Sequence, residues 1–156
     1  MKKISMHITL VLWRENNEKI TVVASARGNS TNDLESILMK AAEKTAYKKK
    51  FEAFKEYQQI PNSSVDFSQE FSRLETIFEG VSLLGDYSQK IKDEVLAQGE
   101  LLSVKLLASL LEKENISANA TDARTLIITD ENFGNAQPIS SLSKENVIAY
   151  YKQNKE

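Results

Sequence analysis

Between Ile4 and Leu12 every second residue is apolar: Ile4, Met6, Ile8, Leu10 and Leu12 alternate with Ser5, His7, Thr9 and Val11. This period of two predicts a strand over residues 3–13. Asn16 and Asn17 carry turn chemistry, and the β-branched run from Lys19 to Ala24 predicts a second strand, so a hairpin is one arrangement of the pair. At Leu34 the period changes. Leu34, Ile37, Leu38, Ala41, Ala42, Thr45, Phe51 and Phe54 form a broad helical stripe and predict one long helix running to Pro61. Pro61 to Ser64 reads as a loop. Asp66 and Gln69 then have capping-box spacing for a second helix, with Phe67, Phe71, Leu74, Phe78 and Val81 on one face. An aromatic stripe of this kind belongs to a core, because each ring buries a large apolar area.

Gly85 to Ser88 breaks the pattern. Ile91, Val95, Leu96, Leu102, Leu106, Leu107 and Leu110 predict a third helix to about Asn115, interrupted at Gly99. Residues 116–120 and 124–128 read as short strands, and residues 143–152 as a last helix. The chain has no internal repeat, low-complexity tract or interdomain linker. The expected fold class is α/β, helix-rich with a few short strands, in one domain spanning residues 1–156.

Composition narrows the function classes. The chain has 156 residues, 41% hydrophobic and 27% charged, enough for one domain with a core and ordinary for a globular protein. Net charge is −2, and basic residues are dispersed apart from Lys48, Lys49 and Lys50. Nucleic acid is therefore not an expected partner, since phosphate neutralisation needs a basic face, and the three lysines read as a solvated helix face. The absence of cysteine excludes disulfides, thiol catalysis and thiolate metal sites. The single histidine, His7, excludes any cluster needing two, and in a strand it reads as a packing or surface residue. No apolar run is long enough to cross a bilayer, and Met1 to Trp13 lacks a signal-peptide cleavage site, so the expected location is cytoplasmic with no membrane partner.

Two segments carry candidate chemistry. Val22 to Ser36, VVASARGNSTNDLES, passes from a strand through small polar residues into a helix start. Asn32 as N-cap with Glu35 three residues later explains its second half without a ligand. Alternatively, hydroxyls and free N–H groups at a helix N-terminus, with Gly28 permitting close approach, present a cradle for an anion. The second segment is Gln98 to Ser103. Glu100 lies four residues after Leu96, four before Val104 and seven before Leu107, so its helix face is largely apolar. A carboxylate buried there requires a partner, from the protein or from a ligand. Gly99 beside it lowers helix propensity by roughly 1 kcal/mol relative to alanine, which points to a close approach on that side. A third segment, Thr129 to Ala136, lacks the ligand spacing of a calcium-binding loop and reads as a plain loop.

Taken in order, these motifs resemble the N-terminal half of the catalytic domain of aspartokinases, in the amino-acid kinase family. Ser25-Ala26, Gly28 and Thr31-Asn32 match the family's loop after its second strand, and Glu75 to Gly85 matches the helix preceding the next motif. Gln98 to Ser103 matches the Gly-Glu-x-x-Ser helix, and Ile128 to Ala136 the Thr-Asp-x-x-Phe loop. The position of Leu101 is arginine in many members. The resemblance covers about Ile20 to Val147 and implies a partial amino-acid-kinase-like fold. It also implies phosphorylation of the side-chain carboxylate of L-aspartate by ATP with magnesium, toward lysine, threonine and methionine. By position, Ser25 and Thr31 would shape the aspartate pocket and Glu100 would pair with the substrate ammonium group. No catalytic residue and no metal ligand is assigned. The family's Lys-Phe-Gly-Gly-Thr-Ser segment has no counterpart in Met1 to Trp13, Lys2 and Lys3 are not matched to its lysine, and the chain contains no Gly-Gly pair. The expectation is a fragment of such a kinase, inactive alone and not expected to bind ATP and magnesium well. The alternative is a non-catalytic module whose helices at 34–59 and 68–84 bind a partner or form a homo-oligomer.

Overall fold

The computed structural model describes residues 9–15, 18–60 and 63–154. The start of the first predicted strand, His7, the Asn16–Asn17 turn and the Pro61–Asn62 part of the loop lie outside the described residues. Strand β1 (Thr9–Glu15) pairs antiparallel with β2 (Glu18–Ala24), Leu12 opposite Thr21 and Glu15 opposite Glu18, so the two strands form the hairpin that the pattern allowed. The other edge of β1 pairs antiparallel with β3 (Ala118–Thr121), which completes a three-stranded sheet in the order β2-β1-β3.

Five α-helices follow among the described residues: α1 (Ser30–Ala42), α2 (Tyr47–Gln58), α3 (Ser68–Leu84), α4 (Gln89–Lys113) and α5 (Ser140–Gln153). The single long helix expected from Leu34 to Pro61 is in fact α1 and α2. Lys44, in the left-handed region at φ 55°, ends α1: its N–H donates to the Ala41 carbonyl and the Thr45 N–H to the Lys40 carbonyl. This is the paired pattern that closes a helix with a left-handed residue just past its end. The start of α1 also differs from expectation. Asn29, not Asn32, occupies the N-cap position, and its side chain caps no backbone N–H. Asn32 lies within the first turn and donates from Nδ2 to Asn29 Oδ1 at 2.6 Å, while Glu35 pairs with Lys92 of α4 at 2.5 Å.

The expected capping box at Asp66 and Gln69 is replaced by a turn: Asp66 accepts from the Ser68 N–H at 2.8 Å and from the Ser68 hydroxyl. These bonds, the backbone one first, hold the Asp66 carboxyl below the usual carboxylate range. Gly85, at φ 80°, ends α3, and the Ser88 hydroxyl accepts from the Ile91 N–H to open α4. Gly99 does not interrupt α4, which runs unbroken for 25 residues. The strand expected at 124–128 is absent. Asp122 instead accepts from the Arg124 N–H and starts a single 3₁₀ turn, Ala123–Thr125, which removes the backbone from extended geometry.

The core explains this layout. Leu34, Ile37, Leu38 and Ala41 of α1, Phe51 and Phe54 of α2, and Leu74, Phe78 and Val81 of α3 are buried together with Val95, Leu96, Leu102 and Leu106 of α4. The aromatic stripe lies inside: Phe51 and Phe78 meet edge-on with centroids 5.2 Å apart, and Phe51 meets Phe71 at 89°. The opposite side of α4 buries Val104 and Ala108 against Ala118, Val22 and Ala24 of the sheet. Helix α4 thus lies between helices α1 to α3 and the sheet, and Val95 to Glu100 are all buried. A helix buried on all sides loses the one-sided pattern of a surface helix. The result is a helix-rich α/β arrangement in which one central helix touches every layer.

Candidate functional site

The two segments singled out in the sequence meet in space. A Cβ on Gly99 would stand 3.2 Å from the Ala26 Cβ, 3.4 Å from Leu34 Cδ1 and 3.8 Å from the Ser30 Cβ. The first of these distances is tighter than ordinary van der Waals contact. The glycine in the middle of α4 therefore exists for a reason: it lets the β2–α1 loop lie directly on the helix, as the lowered helix propensity suggested.

The other side of this loop rests on α2. Gly28 adopts φ 57°, and a Cβ there would run into the Tyr57 hydroxyl. The Arg27 guanidinium stacks over the Tyr57 ring, 4.2 Å from its centre. One turn of backbone is fixed by Ser30, whose N–H and hydroxyl both donate to the Arg27 carbonyl, at 3.1 and 2.6 Å. Gln58, only 1% exposed, donates from Nε2 to the Ser30 hydroxyl at 2.6 Å. The loop is thus held by hydrogen bonds toward α2 and by packing toward α4.

Glu100 follows Gly99 directly and is 7% exposed, in agreement with its largely apolar helix face. Its charge acts on Arg124, whose guanidinium is held above its usual range first by hydrogen bonding to Asp122, with smaller contributions from Glu94 and Glu100. Asp122 in turn is opposed by burial, but the Arg124 guanidinium and N–H outweigh it and keep the carboxyl below the ordinary range. Arg124 meets Asp122 through Nε and Nη2, the latter at 2.6 Å. The Arg124 guanidinium in the 3₁₀ turn after β3 is thus paired with Asp122 and feels the charge of Glu100 only as the last of these contributions.

Of the expected site residues, Ser25 is exposed and Thr31 half-buried. No hydrogen bond among the described residues occupies either hydroxyl. They flank Ala26 and Ser30, the two loop residues that approach Gly99. The Thr129–Ala136 segment is a loop, as expected, closed by a bridge between Thr129 and Pro138. It is attached to the N-terminal part of α4: the Gly134 N–H donates to Asp93 Oδ2 at 2.5 Å, and Lys90 Nζ lies 5.4 Å from the Phe133 ring centre. Neither Tyr57 nor Gln58 stands out in the sequence as a partner of this loop. Their only signal was Gly28, a glycine in need of something close by.

No three His, Cys, Asp or Glu side chains gather as a metal site among the described residues, so no magnesium position is assigned to them. A cleft of about 630 Å³ opens between the C-terminal end of α2 and the start of α3, lined by Glu52, Lys55, Asp66, Phe71 and their neighbours. It shares no residue with the loop or with Glu100, and the candidate site rests on the Ala26–Gly99 contact instead.

A strand leads through a small-residue loop into a helix, and that loop packs on the central helix at Gly99, the residue before the buried Glu100, in a helix-rich α/β protein. The chain belongs to the amino acid kinase family, whose family model matches residues 4–155. No curated protein matches it. Members of the family phosphorylate an amino acid or a similar small substrate.

Proposed function

We propose that this chain serves the aspartokinase reaction, transfer of the γ-phosphoryl group of ATP to the side-chain carboxylate of L-aspartate, toward lysine, threonine and methionine. In this reading the chain supplies the amino-acid side of the site. Glu100 pairs with the substrate ammonium group, and the Ser25 and Thr31 hydroxyls donate to its carboxylates. The observation that supports the reading is the packing of Ala26 of the loop on Gly99, the residue before Glu100. A carboxylate 7% exposed attracts an ammonium group strongly, because little water screens the pair. Phosphoryl transfer itself depends on positioned cations and backbone donors around the transferring group, and magnesium with the nucleotide supplies part of that charge. The chain has no Gly-Gly pair to cradle the phosphates, so measurable ATP turnover by this chain alone is not expected.

The test is calorimetric titration with L-aspartate, L-glutamate, L-asparagine and succinate. L-Aspartate should bind most tightly, and succinate, which lacks the ammonium group, about tenfold or more weaker. Equal binding of succinate and L-aspartate would contradict the role given to Glu100.

A second reading, self-association through the helices, is favoured by Leu83 and Leu84 at the end of α3, which are 80% and 77% exposed. Adjacent exposed leucines suit an interface. Sedimentation of the parent and of a Leu83→Ser, Leu84→Ser double variant decides it: a dimer that the double variant abolishes supports the reading, and a monomer at high concentration removes it.

A further inference from the structure

The cleft between α2 and α3 lies apart from the candidate site, and its lining sorts by depth. Its apolar residues lie deeper, with Phe67 buried and Ile60, Val65 and Phe71 half-buried. Its carboxylates, Glu52, Glu56, Asp66 and Glu75, belong to exposed residues. The two phenylalanine rings pack together with centroids 5.6 Å apart. The cleft thus has an apolar floor and an acidic rim, and its volume of about 630 Å³ is in the range of small-ligand pockets.

The rim keeps an excess of negative charge. Lys55 is the one cation among the described lining residues, and it pairs with Glu52 at 2.6 Å and stands 4.9 Å from the Phe51 ring centre. Lys105, whose charge reaches Asp66, is itself bonded to Glu70. Glu56 and Glu75 form no ion pair among the described residues. Asp66 accepts from the Ser68 N–H and hydroxyl, bonds that favour its ionised form and leave each oxygen a further lone pair. Glu56, Asp66 and Glu75 therefore line the cleft as carboxylates without a paired cation.

Separate charges around an apolar floor narrow the occupant. A metal ion needs ligands that converge on one point, and no such group of carboxylates occurs among the described residues. A peptide segment would bring backbone N–H and C=O groups onto a floor that cannot satisfy them. A methylene chain interrupted by ammonium groups meets neither objection. Its methylenes cover the apolar floor, its charges meet the rim, and an ammonium group over a ring face gains a further attraction.

We propose that the α2–α3 cleft binds a linear aliphatic polyamine, with its ammonium groups on Glu56, Asp66 and Glu75 and its methylene chain over Phe67 and Phe71. Glu56 and Gln59 line the cleft, while Tyr57 and Gln58 of the same helical turn hold the β2–α1 loop. A polyamine in the cleft therefore contacts the turn that positions this loop without entering the candidate site.

The test is calorimetric titration of the full chain at low ionic strength with spermidine, with 1,4-diaminobutane and with a trilysine peptide of the same net charge as spermidine. Spermidine should bind once per chain, about threefold or more tighter than diaminobutane, which has one ammonium group fewer. A Glu56→Gln, Glu75→Gln double variant should weaken spermidine about fivefold or more. A Glu112→Gln, Glu114→Gln double variant removes the same charge from exposed positions at the end of α4 and should leave the affinity unchanged. Absence of spermidine binding to the parent, or equal affinities for spermidine and diaminobutane, overturns the proposal without any variant. Spermidine bound to the Glu56, Glu75 variant as tightly as to the parent, or weakened equally in both double variants, also overturns it. Tighter binding of trilysine than of spermidine overturns it in favour of a basic protein segment.

Discussion

Helices α1 to α4 and the segment from Asp122 to Asn154 are built on different principles. In the first region, the interior faces of four helices meet, and Leu34, Ile37, Leu38, Leu74, Phe78, Val95 and Leu102 are fully buried. In the second, only Ala123, Leu126 and Ser143 are buried, while Ile139, Leu142, Ile148 and Tyr151 of α5 and its approach remain exposed. Polar contacts hold this second region: Tyr150 to Thr121 at 2.5 Å, Tyr151 to Thr21 at 2.6 Å, and Ser143 to the Ile128 backbone. Apolar burial contributes roughly 25 cal/mol per Å², whereas a hydrogen bond contributes about 1 kcal/mol net. The candidate site draws on the first region, where α4 cannot shift without disturbing the core.

The largest break in this comparison comes from the core. Phe78→Ala should destabilise the chain by about 3–5 kcal/mol in urea denaturation, through lost burial and the cavity left beside Tyr47 and Phe51. Phe133→Ala, in the second region, removes an exposed ring and should stay within about 0.5 kcal/mol. Equal losses would mean that the two regions do not differ as described.

Gly99→Ala probes the join between core and loop. Alanine improves helix propensity by about 1 kcal/mol, but its methyl group meets Ala26 at 3.2 Å and costs about 1–3 kcal/mol by overpacking. Thermal denaturation should show a loss of about 2 kcal/mol or less, while L-aspartate affinity falls severalfold because the loop is displaced. Unchanged affinity would show that the loop does not need this contact.

Ser143→Ala sharpens the polar side of the comparison. It leaves the Ile128 N–H without its acceptor and should cost about 1 kcal/mol, read as earlier loss of the α5 contacts in hydrogen exchange. The smallest effects are those of pH. The lowered carboxyl of Asp122 contributes stability that is present above about pH 4, the ordinary carboxylate range, and is lost as pH falls through its depressed value. Lys92 is raised, first by its hydrogen bond to Glu35, so its contribution is complete below about pH 10 and is lost as pH rises through the raised value. Denaturation midpoints should thus change little on account of these groups between about pH 5 and 9. A strong dependence in that window would assign pH sensitivity to other groups.

How much of this was legible depended on whether the controlling residue leaves a mark in the pattern. Helices α3 and α4 follow from their apolar period, and the burial of Glu100 from its neighbours at four and seven residues. The close approach at Gly99 followed from a glycine where a helix disfavours one. The break between α1 and α2 was hidden, because the left-handed position that usually carries glycine carries Lys44. The residues 124–128 look like a strand because Leu126, Ile127 and Ile128 favour one, yet the local bonds from Asp122 to Arg124 win. Tyr57 and Gln58 touch the loop about thirty positions away in sequence, and nothing in a helical stripe reports such a contact. Arg27 was visible as a residue, but its stacking partner was not.

The central claim is that the buried carboxylate beside the β2–α1 loop holds the ammonium group of an amino acid. The most direct measurement is the affinity of L-aspartate for the parent chain and for Glu100→Gln by calorimetry, with the fold of both confirmed by circular dichroism. The expected result is a loss of about tenfold or more in the variant, since a buried ion pair becomes a neutral contact. L-Aspartate binding with equal affinity to a folded Glu100→Gln chain would contradict it.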